Sequence, residues 1–492
     1  MTFLRAETSP RIAIATSCLV VMGLGAGLAV ASSGIPGFAL LLALAGGLLA
    51  VRLAWRGGVL EPWGIVLVLL LSANYNVVFN LNAFVAEGAS RARMITPAAT
   101  ACLVLFVVLQ NERRRALGLP FKQSPVDVLF VVLFALSTVA LARGIQVGNP
   151  TVFVMGDYGQ LMQVIVAYAA VRMYWLNAGN EGMRAFLCLL AASWGLRSAF
   201  ELAFPEARGA AVIVMEGETL FRRTDPLGPI AIPFLMGLLF SERQGDRRLL
   251  LSGSLALVVA QNMLGFTRAH YLALGVAVPV LLLVALHRPK VRGTALHAVL
   301  IGALAAGALY AAVSPVRGEV DRAWGRFLET FDPTTQSRLH REAEGEVVLH
   351  YIRSAPLTGY GLGFEYEGVD PETLRAGPVH FVHNDYLALW VRGGILLTGV
   401  WVVILGYSAW RGFTRLNRLG PLVSAGAAAG VLAEAITGIP SGSAWGYVAG
   451  PIMALAIAVA TWQPAAEMAP RDAGRQHATA PARWEEAPSG SG

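Results

Sequence analysis

The sequence predicts an all-α membrane protein with about fourteen transmembrane helices and one large helical loop outside the membrane. Of its 492 residues, 55% are hydrophobic and 14% are charged, whereas charged residues make up about a quarter of a soluble domain. Apolar runs of about twenty residues, the length that crosses a bilayer as a helix, recur from residue 12 to residue 462. The alternating pattern of an outer-membrane barrel is absent from them, so the spans are predicted to be helices.

Breaks in hydropathy and clusters of Gly, Pro and charge separate the spans. The predicted spans cover residues 12–31, 37–55, 62–80, 94–110, 125–142, 160–176, 184–203, 226–241, 249–266, 269–287, 295–313, 385–407, 419–437 and 445–462. The first one has the basic flank of a secretion signal, but its length and the spans that follow favour a retained helix. Four regions result: transmembrane helices over 1–313, a polar loop over 314–384, further transmembrane helices over 385–462 and a disordered tail over 463–492.

Basic residues fall in alternate connections between the spans. The connections on one side carry Arg52, Arg56, Arg113, Arg114, Arg115, Lys122, Arg243, Arg247, Arg248, Arg288, Lys290, Arg292, Arg411, Arg415 and Arg418. By the positive-inside rule this side faces the cytoplasm, together with both termini, and the 314–384 loop faces outward. Topology therefore accounts for the net charge of +7 without a nucleic-acid partner.

The three cysteines lie far apart within apolar runs, at Cys18, Cys102 and Cys188. Their spacing fits neither a disulfide framework nor a metal site of the CxxC kind. We expect them to be small hydrophobic residues in the helices.

Arg268 lies between two apolar runs that leave no room for a long loop. An arginine at the membrane surface is costly unless its side chain snorkels to water or meets an anion. Snorkelling and binding of an anionic substrate both remain open for this residue. Further outward arginines are Arg222 and Arg223, before the span at 226–241, and Arg338 and Arg341 in the polar loop.

The polar loop has the pattern of amphipathic helices over 320–331 and 337–352. Arg338 and Arg341 are three residues apart and are predicted to be neighbours on one helix surface. The run Gly359-Tyr360-Gly361-Leu362-Gly363 follows no predicted strand and opens no helix, so a tight turn is favoured over a dinucleotide site.

His383 lies between the polar loop and the next span. Asn384 and Asp385 suit the N-cap and first turn of the helix that follows, which would fix the imidazole at the membrane surface. A neutral imidazole can accept a proton near neutral pH, but a surface hydrogen-bonding role is the simpler alternative. A metal site formed by His380 and His383 with Glu365 is another alternative, although the spacing is unfamiliar.

Three elements in a fixed order resemble the bacterial O-antigen ligase and O-antigen polymerase superfamily. They are Thr267-Arg268-Ala269 at a span junction, Ser337-Arg338 followed by Pro356-Leu357-Thr358-Gly359-Tyr360-Gly361, and His383-Asn384 before a span that contains Gly393, Gly394 and Gly399. The resemblance covers roughly residues 224 to 399.

The resemblance implies a metal-independent membrane glycosyltransferase that needs no cofactor. It would move a glycan from an undecaprenyl-diphosphate donor to an acceptor hydroxyl at the outer, periplasmic face of the inner membrane. By matching position, His383 is the catalytic residue, supported by Asn384 and Asp385, and Arg268 and Arg338 bind the diphosphate. Arg341, Arg222 and Arg223 are further candidates for that binding, since guanidinium groups suit phosphate oxygens.

Two alternatives remain at this stage. Within the superfamily, a polymerase differs from a ligase only in its acceptor, which is another lipid-linked repeat rather than lipid A-core oligosaccharide. A transporter or flippase for the lipid-linked glycan is an alternative of another class, but charges at the span ends rather than near the bilayer centre favour an interfacial active site.

Overall fold

The structure is a computed structural model of the chain. It describes residues 62–73, 89–116, 123–203, 211–215, 218–222, 227–263, 268–289, 291–293, 295–296, 321, 324–325, 327–328, 336–369, 376–415, 419–441 and 449–462. The predicted spans at 12–31 and 37–55, nearly all of the one at 295–313 and the predicted tail at 463–492 lie outside these ranges.

The described residues are mostly helical. The helices are α1 (Pro62–Ala73), α2 (Ala89–Ala116), α3 (Pro125–Val147), α4 (Thr151–Ala203), α5 (Leu227–Ser241), α6 (Gly245–Met263), α7 (Arg268–Leu286), α8 (Gln336–Ser354), α9 (Asp385–Thr414), α10 (Val423–Ser441) and α11 (Ala449–Thr461). The strands are β1 (Ala211–Met215), β2 (Glu218–Arg222), β3 (Tyr366–Val369) and β4 (Ala376–Val379). Each predicted span that lies wholly within the described ranges coincides with a helix, and α8 matches the predicted amphipathic helix of the loop.

Among the described residues, four helices are long and apolar enough to cross a bilayer: α3, α7, α9 and α10. Helices α5 and α11 are also apolar but shorter. The protein is therefore a helical membrane protein, and the total of fourteen spans stays a prediction.

Two short antiparallel hairpins accompany the helices, and the all-α prediction did not include them. In the first, β1 pairs with β2 so that Ala211 lies opposite Arg222. In the second, β3 pairs with β4 so that Tyr366 lies opposite Val379. A search for apolar runs of about twenty residues does not detect strands of four or five. The second hairpin matters most, because it delivers the chain to His383.

Helix α4 is two helices joined at a kink. Gly179 has φ 69° and ψ −169°, which is not helical. Beside the kink, the indole Nε1 of Trp175 donates to the side-chain oxygen of Asn180 at 3.2 Å. The two halves correspond to the separate spans predicted over 160–176 and 184–203.

Helix α9 is also broken, at Gly394, where φ is 75° and ψ is 179°. The break frees the carbonyl groups of Val391 and Arg392, and residues 359–363, here called the glycine-rich segment, bind them. The Tyr360 N–H donates to the Val391 carbonyl at 2.7 Å and the Gly361 N–H donates to the Arg392 carbonyl at 2.8 Å. In a membrane protein a freed backbone group needs such a partner.

The glycine-rich segment packs directly on helix backbones. Gly359, Gly361 and Gly363 all have positive φ, and a Cβ on Gly361 would collide with the backbone of Gly144 at the end of α3. Asn149 donates to the carbonyl of Leu362 at 2.9 Å. The predicted tight turn is present, and its glycines are needed because the chain approaches three helices closely.

We expect Gly394→Ala to destabilise the protein by about 1–3 kcal/mol or more, because this backbone conformation is nearly restricted to glycine. A Cβ at this position would also collide with the carbonyl oxygen of Leu357. Thermal unfolding of the detergent-purified protein checks the expectation. Gly399→Ala is the matched control, since it lies in the same helix with nothing within 4 Å of its Cβ position. Equal melting temperatures for the two variants would contradict this account of the break.

Helices α7 and α9 both run antiparallel to α10. Beyond the end of α7, Arg288 donates to the carbonyl of Pro421 just before α10, and to the carbonyl of Phe413 at the end of α9, at 3.1 Å. At the other end of α9, the Tyr386 hydroxyl donates to the carbonyl of Ala435, late in α10, at 2.7 Å. Helices α7 and α9 therefore begin at the same end of the bundle.

The opposite end of the bundle is basic. The connections after α5, α7 and α9 meet there: Arg184 donates to the Leu419 carbonyl at 2.8 Å, and the Leu422 N–H donates to the Ser241 hydroxyl at 2.9 Å. Those connections carry many of the basic residues that the charge count assigned to one side. Helices α3 and α4, the glycine-rich segment and the start of α9 meet at the other end, here called the site end.

Candidate functional site at the start of helix α9

His383 is bound by a glutamate that the sequence analysis did not single out. Its ring Nδ1 lies 2.6 Å from Oε2 of Glu344, and its backbone N–H donates to Oε1 of the same carboxylate at 2.6 Å. The Glu344 side chain is 6% exposed and that of His383 is 22% exposed. One almost buried carboxylate therefore holds both the backbone and the ring of His383.

This contact indicates which ring nitrogen is available for chemistry. A carboxylate can only accept hydrogen bonds, so Nδ1 is the donor in this contact, and in the neutral ring Nε2 has the lone pair. In this form of the imidazole, Nε2 is the nitrogen that can accept a proton. A histidine that a buried carboxylate holds in this way can act as a general base.

The start of α9 fixes the position of His383. Asn384 is the N-cap, and its side-chain oxygen accepts from the backbone N–H groups of Tyr386 and Leu387, both at 3.0 Å. The predicted cap is confirmed. Asp385 stands in the first turn and is buried, where a negative charge interacts favourably with the helix dipole.

Aromatic and polar groups surround the histidine. The ring of Phe381 meets it edge-on at a centroid distance of 4.8 Å, and the ring of His340 does so at 6.1 Å. The Tyr366 hydroxyl donates to the Phe381 carbonyl at 3.2 Å. Burial raises the pKa of Tyr366, and the negative charge of Glu344 raises it further, so this hydroxyl stays protonated as a donor.

A second charged cluster anchors the segment that leads to His383. Asp157 accepts from the Gly363 N–H at 2.8 Å, contacts Nε2 of His380 at 3.2 Å and pairs with Arg392 at 3.2 Å. Arg392 also donates to the His380 carbonyl at 2.6 Å. Asp157 and Arg392 are both buried. The cluster links α4, the glycine-rich segment and α9 immediately beside the site.

The two histidines of the metal alternative have different acidic partners. His380 lies against Asp157, and His383 lies against Glu344. In the part of the chain that the structure describes, no group of three or more His, Cys, Asp and Glu residues is placed to hold a metal ion.

Arg268 is the first residue of α7 and is half-buried. Because α7 and α9 begin at the same end of the bundle, Arg268 and His383 both lie at the site end, with α10 packed against both helices. Two residues further on, Nδ1 of His270 lies 3.1 Å from the side-chain oxygen of Asn262, which links the start of α7 to the end of α6.

The two arginines of α8 are neighbours on the helix surface but differ in exposure, since Arg341 is half-buried. Arg338 is exposed and pairs with Glu342 at 2.8 Å, a surface contact of little energetic weight. Arg341 is three residues before Glu344 and His340 is four before it, so both lie on the side of the helix that holds His383. Helix geometry thus places Arg341 nearer to the histidine than Arg338, although the sequence ranked them the other way.

Arg222 and Arg223 are the remaining predicted arginines. Arg222 ends β2, where the structure describes the backbone alone, and Arg223 lies outside the described residues.

Comparison with known protein families gives one match, in the part of the chain that contains His383. Residues 253–402 match the family model described as O-antigen ligase. The matched region runs from α6 into α9 and contains Arg268, Arg338, Glu344 and His383. No curated protein matches the chain. The resemblance to the O-antigen ligase and polymerase superfamily is therefore confirmed.

Proposed function

We propose that this chain, with its O-antigen ligase region at residues 253–402, is a glycosyltransferase of the O-antigen ligase type. It moves a glycan from an undecaprenyl-diphosphate donor to an acceptor hydroxyl at the outer face of the inner membrane. The observation that supports this most strongly is the His383–Glu344 pair, at 2.6 Å, just before a helix that is long and apolar enough to cross a membrane. A lipid-linked substrate has its reacting group at that depth.

The transfer needs a proton acceptor. The oxygen of the acceptor hydroxyl attacks the anomeric carbon of the donor glycan, and the bond from that carbon to the phosphate oxygen breaks. The bonding electrons leave with undecaprenyl diphosphate, and the hydroxyl proton passes to Nε2 of His383. Such general-base assistance typically contributes about 10²–10⁴ in rate.

The leaving diphosphate needs cations. Arg268 and Arg341 are the best placed candidates, because one begins a helix at the site end and the other lies on the Glu344 side of α8. Arg338, Arg222 and Arg223 are further candidates. A guanidinium group binds two phosphate oxygens at once and never loses its charge, which suits a leaving group that gains negative charge.

The charge of the two bundle ends predicts which end faces the cytoplasm. The basic end would face the cytoplasm and the site end the periplasm. In a cysteine-free background, we expect Glu367→Cys to react with an impermeant thiol reagent added to intact cells and Ala116→Cys to react only after lysis. Both positions are exposed in the structure. Labelling in the reverse order would place the site in the cytoplasm and contradict the proposal.

A transfer assay in detergent micelles separates this function from a flippase. The purified protein receives a synthetic undecaprenyl-diphosphate glycan and a panel of acceptors, one lipid A-core oligosaccharide and one lipid-linked repeat. A transferase forms product without a bilayer. A flippase only moves its substrate across a bilayer, so it forms no product in micelles. Transfer to the core oligosaccharide supports a ligase, and transfer only to the repeat indicates a polymerase. Intact donor in all reactions would overturn the proposal.

A further inference from the structure

We propose that Glu344 is the positioning residue for His383: it fixes the ring tautomer and orientation that make Nε2 the proton acceptor. This inference rests on the proposed function and adds to it a residue that the family resemblance did not supply. Glu344 need not touch either substrate to act in this way.

The geometry carries the first step. The two oxygens of Glu344 accept from two different groups of one residue, the Nδ1–H of the ring and the backbone N–H, both at 2.6 Å. The backbone contact fixes where His383 stands and the ring contact fixes its rotation. A ring flip would replace Nδ1 by a carbon atom opposite the carboxylate, which would break the stronger charge-assisted bond.

The second step is electrostatic. When Nε2 takes the acceptor proton, the ring becomes a cation beside the almost buried carboxylate of Glu344. An opposite charge at hydrogen-bond distance stabilises the cation, and low exposure strengthens the effect. Glu344 thus favours both the reactive tautomer before transfer and the protonated ring after it.

A purely structural role for Glu344 makes a different prediction. Helix α8 is already anchored by Val348 and Ile352, which are buried one and two turns further along the same face. If Glu344 only tied α8 to the chain at His383, its loss would lower stability without changing how the rate depends on pH.

The test is Glu344→Gln in the purified protein, with Glu346→Gln as the matched control, exposed on the same helix. We expect kcat to fall by about 10²-fold, with little change in KM for the lipid-linked donor. We also expect the acidic limb of the kcat–pH profile to move to lower pH, because the imidazolium loses its anionic partner. The control is expected to match the wild type in both.

The Glu344→Gln substitution leaves the other titratable groups around the His383–Glu344 pair unchanged. They are His340 and Arg341 on α8, Tyr366 on β3, Asp385 and Arg392 on α9, and the adjacent Asp157 and His380. The shift of the acidic limb in Glu344→Gln is therefore assigned to the lost carboxylate.

Glu344→Asp provides the second variant, in case the glutamine variant does not fold. It keeps the charge but is shorter, so we expect a lower kcat with an acidic limb close to that of the wild type. If either folded variant keeps wild-type kcat, or if the limb stays in place in Glu344→Gln, the inference is wrong. A wild-type protein that transfers no glycan would instead overturn the proposed function.

Discussion

Replacing His383 by Ala is expected to lower glycan transfer by about 10²–10⁴ while the donor still binds. The variant loses Nε2, the only proton acceptor proposed for the attacking hydroxyl, but keeps the arginines proposed for the diphosphate. Loss of a surface hydrogen bond would cost about 0.5–1.5 kcal/mol of stability and little rate. The initial transfer rate and the donor dissociation constant, measured on one preparation, separate the two roles.

The matched control for this variant is His350→Ala. His350 is exposed on α8 and has no proposed part in the reaction, so its loss should leave the rate near wild type. In His383→Gln one hydrogen bond to Glu344 can survive without a proton acceptor, so partial activity there would favour an orienting role. Normal transfer by a folded His383→Ala protein would remove the catalytic residue from the account.

Arg268→Lys is expected to lose most of the transfer activity although the charge is retained. Lysine offers a single ammonium on a flexible chain, whereas arginine offers a planar fork that meets two phosphate oxygens. The loss should appear in donor binding and in kcat, because the diphosphate gains negative charge as the sugar bond breaks. The measurement is kcat and KM for the donor.

Arg353→Lys is the control for the arginine variant, since Arg353 lies exposed in the last turn of α8. If Arg268→Lys transfers at the wild-type rate, Arg268 acts as a point charge or as a snorkelling anchor. The diphosphate contact would then have to be sought at Arg341.

The helices and the position of His383 could be predicted from the sequence because each depends on local signals. An apolar run of bilayer length predicts a transmembrane helix without reference to the rest of the chain. The side chain of Asn384 likewise predicts the start of a helix, because it can cap the first turn. The short hairpins carry no comparable signal, so hydropathy missed them.

Glu344 could not be assigned in advance, because its role depends on a contact between residues 39 positions apart in the chain. A weak signal was present. Glu344 lies on the same buried face of α8 as Val348 and Ile352. A carboxylate on the apolar side of an amphipathic helix normally needs a partner.

The glycine-rich segment was predicted as a turn, but its contacts with the broken helix α9 were not predicted. Its backbone binds carbonyl groups that the break at Gly394 sets free, and the backbone of Leu357 packs closely against Gly394. The buried partners Asp157 and Arg392 were missed for the same reason: each lies in an apolar helix whose pattern says nothing about its neighbours in space.

The most direct test of the central claim is to count both products of the reaction. Purified wild-type protein would be incubated with undecaprenyl-diphosphate glycan and the preferred acceptor, without nucleotide sugar and with a metal chelator. The account predicts that one undecaprenyl diphosphate is released for each glycan that appears on the acceptor, and that neither product forms with His383→Ala. Transfer that stops when the chelator is added, or donor that is bound and never cleaved, would contradict it.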